Sequence, residues 1–335
     1  MKKWQLLFLL TPVFLLSGCS LLEGDDKNVN DARVLNNSPF QFITDSIRES
    51  PSMPELYLKR GAMLMQKNFT ALAVFDYKKA WTLRPDEQTA LLYTAGLFMT
   101  GKDKEAILLL KDCKDKFPGN SEFPRRLSEA YMQNGESKEA LDQFNHLIQV
   151  DSGNYETWYE RGLLLAQLRD TSDAIQSLER AFSLQPLQIV SLSLANLYAE
   201  VKDKRALTLC DDVIVKDSAQ ELTDPFFIKG IYYSNTNQHD LAMEQFERCI
   251  SRDWKFTDAY IEKGIILFEE ENIDEALKTF ALAARVSNTY PDAYYWMGRC
   301  YENIGKKQEA RDSYMRALVM DRNFKEAKES LKRLN

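Results

Sequence analysis

Side chains able to do chemistry are few in this chain, and they are scattered. His146 and His239 are its two histidines, and neither has a cysteine or acid nearby at ligand spacing. Neither therefore reads as a metal ligand or general base. Cys113, Cys210, Cys249 and Cys300 stand singly, with no CxxC pair. They read as small buried hydrophobes, and a disulfide among them is left open. Acidic neighbours such as Glu269 and Glu271 read as the solvated edge of a turn, not as an acid/base pair. No GxSxG, phosphate-binding glycine loop, HExxH or GxGxxG is present. No catalytic residue, metal or cofactor is expected. Cys19 is different. Lys2 and Lys3 precede an apolar run from Trp4 to Leu16, and Ser17-Gly18-Cys19 closes it. The run is short for a membrane span and has the make-up of a signal peptide. A thiol placed there can act as a nucleophile toward lipid, and small residues before it suit a peptidase cleft.

The elements that must carry the rest announce themselves by period. Ala73, Ala106, Ala140, Ala174, Ala206, Ala242, Ala276 and Ala310 recur at steps of 33, 34, 34, 32, 36, 34 and 34 residues. A period of that length predicts stacked helix pairs, each contacting its neighbours, in place of one central core. Around the alanines other positions repeat. Residues 291–324 place Tyr294, Gly298, Tyr301, Gly305, Ala310, Tyr314 and Ala317 at positions 4, 8, 11, 15, 20, 24 and 27. Residues 54–86 give Tyr57, Gly61, Leu64, Ala73, Tyr77, Ala80 and Pro85, and residues 155–188 give Trp158, Gly162, Leu165, Ala174, Leu178, Ala181 and Pro186. The units at 223–256 and 257–290 follow suit with Phe226, Gly230 and Phe246, and with Tyr260, Gly264 and Phe280. Matches are weaker in the second, third and fifth units, where Thr94 stands at position 8 and Cys210 at the aromatic position.

This pattern resembles the tetratricopeptide repeat (TPR). The resemblance implies an all-α, right-handed superhelical solenoid of helix-turn-helix units. Two helices cross closely at positions 8 and 20, large residues fill the space around them, and a proline near position 32 ends the second helix. The expected organisation is a signal peptide at 1–18, a flexible tether at 19–38, an N-terminal helix at 39–53, about eight repeats over 54–324, and a solvating capping helix at 325–335.

The N-terminus resembles a bacterial lipobox. By that resemblance Cys19 carries the lipid, palmitate included, and becomes the first residue of the mature chain. Loss of Lys2 and Lys3 takes the net charge from −7 to about −9, a balance that disfavours nucleic acid, and no such partner is expected. In Gram-negative lipoproteins a serine after the cysteine permits sorting to the outer membrane, so Ser20 points there. Glu23, Asp25 and Asp26 fit either a surface-export signal or a solvated tether. The periplasmic or external face stays open.

TPR arrays bind through positions 2, 5, 9, 12 and 13 of the first helix. Here positions 5, 9 and 12 are largely apolar or aromatic. Leu58, Met65, Phe98, Tyr159, Phe227, Ile231, Ile261, Ile265, Phe268 and Tyr295 are the expected partner-binding groove, together with Trp296. Tyr294-Tyr295-Trp296 spans too much of a helix circumference for all three rings to face one core, so at least one is expected to be exposed. The Lys/Asn carboxylate clamp of some chaperone-binding TPR domains is absent. The reading is a membrane-anchored scaffold that grips apolar or amphipathic helical segments of other envelope proteins. A surface glycan- or nutrient-binding lipoprotein is the alternative, opposed by the constant repeat length.

Overall fold

The computed structural model describes residues 32–219 and 221–334, and all regular structure among them is helical. The expected signal peptide, Cys19 and the greater part of the expected tether lie outside the described residues. The helices fall into two compact units that divide after Gln167, within the fourth repeat. The first holds α1 (Gln41–Glu49), α2 (Pro54–Gln66), α3 (Thr70–Leu83), α4 (Glu87–Met99), α5 (Asp103–Lys116), α6 (Glu122–Gln133), α7 (Ser137–Val150) and α8 (Tyr155–Gln167). The second holds α9 (Thr171–Leu184), α10 (Gln188–Glu200), α11 (Arg205–Lys216), α12 (Asp224–Asn235), α13 (His239–Arg252), α14 (Thr257–Glu269), α15 (Ile273–Val286), α16 (Pro291–Asn303), α17 (Lys307–Met320) and α18 (Lys325–Leu334). From α2 to α17 the even-numbered helices are the first of each repeat, termed A, and the odd-numbered are the second, termed B.

Each A-to-B turn holds one residue in the left-handed region, always at position 15. These are Asn68, Gly101, Gly135, Arg169, Lys202, Asn237, Glu271 and Gly305, with φ between 58° and 77°. Glycine takes this conformation freely. The Cβ of Arg169, Lys202 or Glu271 meets the carbonyl of its own backbone there, at about 1–2 kcal/mol.

The helix crossings show why small residues recur. A Cβ added to Gly264 would lie 2.5 Å from Phe280 Cε1; at Gly298 it would lie 2.5 Å from Tyr314, at Gly230 2.4 Å from Phe246, and at Gly61 2.6 Å from Tyr77. Positions 8 and 24 thus share one fixed volume. Two repeats trade volume between these positions: buried Thr94 belongs to the unit whose position 24 is Leu110, and buried Ala195 to the repeat carrying Cys210, while the third repeat accommodates buried Ser128 together with Phe144. The aromatic at position 4 has a second task. The Tyr57 hydroxyl donates to the Pro51 carbonyl (3.0 Å), the Trp158 indole to Ser152 (3.1 Å) and the Tyr260 hydroxyl to Trp254 (3.1 Å). Each tie satisfies a carbonyl in the loop six residues upstream.

The expected tether is partly structured. Ala32–Asn36 form a short 3-10 helix whose Val34 and Leu35 pack against the cluster of Phe40, Leu64 and Tyr77. Two apolar side chains in an otherwise polar stretch suffice for that docking. Next, α1 buries Phe40, Ile43 and Ile47 against the first repeat. It is also held by a polar network: Arg60 on α2 donates to both Asp76 oxygens on α3 at 2.7 Å, and to Thr44 Oγ1 on α1 at 3.1 Å. Arg60 is 5% and Asp76 1% exposed. At the other end α18 packs on α17 through Ala327 and Leu331 and turns most of its charged side chains outward, Arg333 reaching back to Glu302 on α16.

Candidate functional site

The A helices of the two units present different faces. In the first unit, positions 5, 9 and 12 of α2 and α4 are Leu58, Ala62, Met65, Leu91, Ala95 and Phe98. All six are apolar, and all keep part of their surface in water. On α6 the same positions are Arg125, Glu129 and Met132. Arg125 bonds Glu122 through Nε (3.1 Å) and Nη2 (2.8 Å), and Glu129 through Nη1 (2.6 Å). Glu160 on α8 lies in the field of these acids. Burial, and then Glu129, push its carboxyl up to about 7. Tyr159, beside it, is half-buried.

In the second unit three expected groove residues belong to the core. Ile231, Ile261 and Ile265 are 3%, 6% and 7% exposed, and the last two pack in a cluster with Ala276, Phe280 and Ala293. Neighbouring A helices approach closely enough there to cover position 5 and 9 side chains. Sequence spacing marks a face of a helix but cannot say how near the next helix lies. Phe227 is half-exposed and tilts on Phe246 (5.7 Å) and Phe256 (5.1 Å). Phe268 also keeps part of its surface.

The Tyr294-Tyr295-Trp296 run does not leave a ring standing free. Trp296 stacks on Phe280 at 5.7 Å and 12°, with its edge to Phe268 at 5.5 Å. Tyr295 contacts Phe324 at 5.2 Å and Tyr314 at 5.8 Å. All three are half-buried. The circumference argument allows for one core, but the rings here divide between two: Trp296 packs on Phe280 and Phe268 of the preceding repeat, and Tyr294 and Tyr295 pack in the cluster of Ala310, Tyr314 and Ala317.

At this end the expected groove residue Phe268 meets residues that the sequence analysis did not single out as a site. Phe268, Arg299, Glu302, Asn303 and Arg333 line a cleft of about 310 Å³ on α14, α16 and α18. The Arg333 hydrogen bonds hold the Glu302 carboxyl below its ordinary range, in spite of some burial. Arg333 was hidden in a stretch whose composition reads as mere solvation.

The remaining reactive side chains are quiet. Cys113, Cys210, Cys249 and Cys300 are free and fully buried. Burial pushes the first thiol up to about 11 and the other three up to about 12. His239 begins α13 and places Nδ1 2.9 Å from Glu270 Oε1. Among the described residues no group of His, Cys, Asp or Glu side chains could hold a metal ion.

Three tetratricopeptide repeat family models match, at residues 125–187, 224–253 and 291–324. The chain is a tetratricopeptide repeat protein. This TPR chain is similar to the mitochondrial import receptor subunit TOM70 of Homo sapiens, at 20% identity over 64% of this chain and 36% of that one. It is also similar to the protein O-mannosyl-transferase TMTC1 of Homo sapiens, at 25% identity over 62% of this chain and 24% of that one. The match thus spans little more than a third of the first relative and about a quarter of the second. Among solved structures, a TPR protein from Parabacteroides merdae aligns at 18% identity with a TM-score of 0.52, covering 85% of this chain and 99% of that one. Such repeats build protein-binding scaffolds, and the TPR architecture here is of that kind.

Proposed function

We propose that the protein is a lipid-anchored scaffold of the bacterial cell envelope that binds segments of other proteins on the A-helix face of its first unit. The observation that carries the reading is the set of Leu58, Ala62, Met65, Leu91, Ala95 and Phe98, six apolar side chains on two successive A helices, none of them fully buried. Such a surface suits the apolar side of an amphipathic helix. In the second unit Phe227 and Phe268 offer smaller apolar contacts. A receptor among the relatives agrees with a binding role, and the reading is non-catalytic. The A-to-B turns are three or four residues long, which favours a protein partner over a glycan site built on inserted loops.

The anchor belongs to the same reading. Cys19 carries lipid, and Ser20 directs the chain to the outer membrane. Two or more acyl chains hold a protein where one holds only marginally. Crosslinking of intact envelopes followed by mass spectrometry tests the binding face. Ala62→Arg with Ala95→Arg places bulk and charge among these side chains without removing core atoms. The double variant is expected to lose the crosslinked partners at unchanged thermal stability; retention of the same partners ends the reading. Cys19→Ala is expected to abolish palmitate incorporation and release the chain from the membrane fraction.

A further inference from the structure

The two arginines of the C-terminal cleft are held in different ways. Arg333 already faces a carboxylate, with Nε and Nη2 each 2.9 Å from a Glu302 oxygen, and the Tyr314 hydroxyl donates to that same carboxylate at 2.7 Å. Arg299 lies in the field of Glu302 but makes no close ion pair among the described residues. Its guanidinium carbon lies 5.4 Å from the Phe268 ring centroid and 5.6 Å from that of Trp296, and Nη1 is 3.2 Å from the Tyr295 hydroxyl. Rings against a guanidinium remove water from its faces and leave its N–H edge as the part that binds. That edge matches a carboxylate in two parallel charge-assisted hydrogen bonds. Asn303 adds a neutral amide at the same cleft, and Phe268 an apolar wall. Charge selects the occupant: the cleft sets two guanidiniums against one carboxylate in a chain of net charge −7.

We propose that this cleft receives the side-chain carboxylate of an Asp or Glu in a partner peptide, bound by Arg299 and Asn303, with an adjoining apolar side chain against Phe268. The proposal rests on the protein-binding reading above and narrows the partner to an acidic-apolar segment.

The test pans the full chain in detergent against displayed random dodecapeptides. Enriched sequences are synthesised with amidated C-termini, so that only a side chain can supply the carboxylate, and are measured by fluorescence anisotropy. The expected motif is an acid beside an apolar residue. Replacing that acid by its amide weakens binding about tenfold to a hundredfold, and Arg299→Gln weakens it to a similar degree. Arg299→Lys restores only part, because a point charge lacks the planar fork. The peptide substitution leaves the protein untouched, so it decides the matter even if a variant fails to fold. Peptides that bind without an acid, that need a free terminal carboxylate, or that bind Arg299→Gln as well as the parent overturn the proposal and leave the protein-binding reading standing. Enrichment of no peptide overturns both.

Discussion

Gly264→Ala is the sharpest probe of the shared volume at the helix crossings. On an open helix face this change would stabilise by about 1 kcal/mol, through helix propensity. At this site the new methyl would lie 2.5, 2.7 and 2.9 Å from three Phe280 ring atoms. Favourable carbon contacts lie near 3.5–4.0 Å, so the ring must retreat by about 1 Å. It has little room, since Phe280 is fully buried and stacked on Trp296. Overpacking costs about 1–3 kcal/mol, and three contacts under 3 Å put this site in the upper half of that range, so that after about 1 kcal/mol of propensity the net loss is about 1–2 kcal/mol. Phe280→Leu alone leaves a void and costs about 1–3 kcal/mol. The two together recreate the volume trade seen at Thr94 with Leu110, and should cost less than the sum of the singles by about 1–2 kcal/mol. Urea titration followed by far-UV circular dichroism gives the three midpoints, with the slopes checked for constancy. A single variant at least as stable as the parent, or strict additivity of the pair, would refute the shared-volume account.

Other perturbations have equally definite outcomes. Asp76→Asn leaves Arg60 charged and buried, and should lower unfolding free energy by about 3–5 kcal/mol, whereas an apolar double replacement of the pair stays near the parent; thermal unfolding distinguishes them. Glu271→Gly and Lys202→Gly relieve left-handed strain and should each raise stability by about 0.5–1 kcal/mol, net of the entropy glycine adds to the unfolded chain. Because burial raises the Glu160 carboxyl to about 7, its protonated form is favoured in the fold, and stability should fall as pH rises from about 4.5 through 7. Glu160→Gln should flatten that part of the pH–stability curve, and chemical denaturation at pH 5 and about pH 8 would show it. The four buried thiols should resist iodoacetamide until denaturant is added.

Much of the architecture is legible in the sequence, because a crossing that admits only small residues writes itself into the chain at every turn of the repeat. The alanines at position 20 are all fully buried. Where the crossing is compensated, as at Thr94 or Ala195, each position looks wrong by itself and only the pair makes sense. The binding face is less legible. Leu58, Met65 and Phe98 keep part of their surface, but Ile231, Ile261 and Ile265 do not. An isoleucine at a given helical position looks the same whether the next helix covers it or water does. The left-handed turns are legible at Gly101, Gly135 and Gly305 and silent at Arg169, Lys202 and Glu271, where tertiary packing imposes a conformation the side chain resists. Arg60 and Asp76 stand sixteen residues apart on different helices, and a charge pair of that kind leaves no mark in a one-dimensional pattern.

The same pair has a mechanical meaning. A load applied to the first residues of the chain arrives at α1, and α1 is held to the first repeat by apolar side chains and by one Arg60-centred bridge. Apolar contacts yield gradually, losing area as surfaces slide. The Arg60–Thr44 hydrogen bond at 3.1 Å, whose donor is itself fixed by Asp76 at 2.7 Å within the repeat, loses most of its strength within a short displacement. Pulled from its N-terminus, the protein should therefore hold α1 stiffly up to a threshold and then release it in a single step, a fuse placed ahead of the repeats.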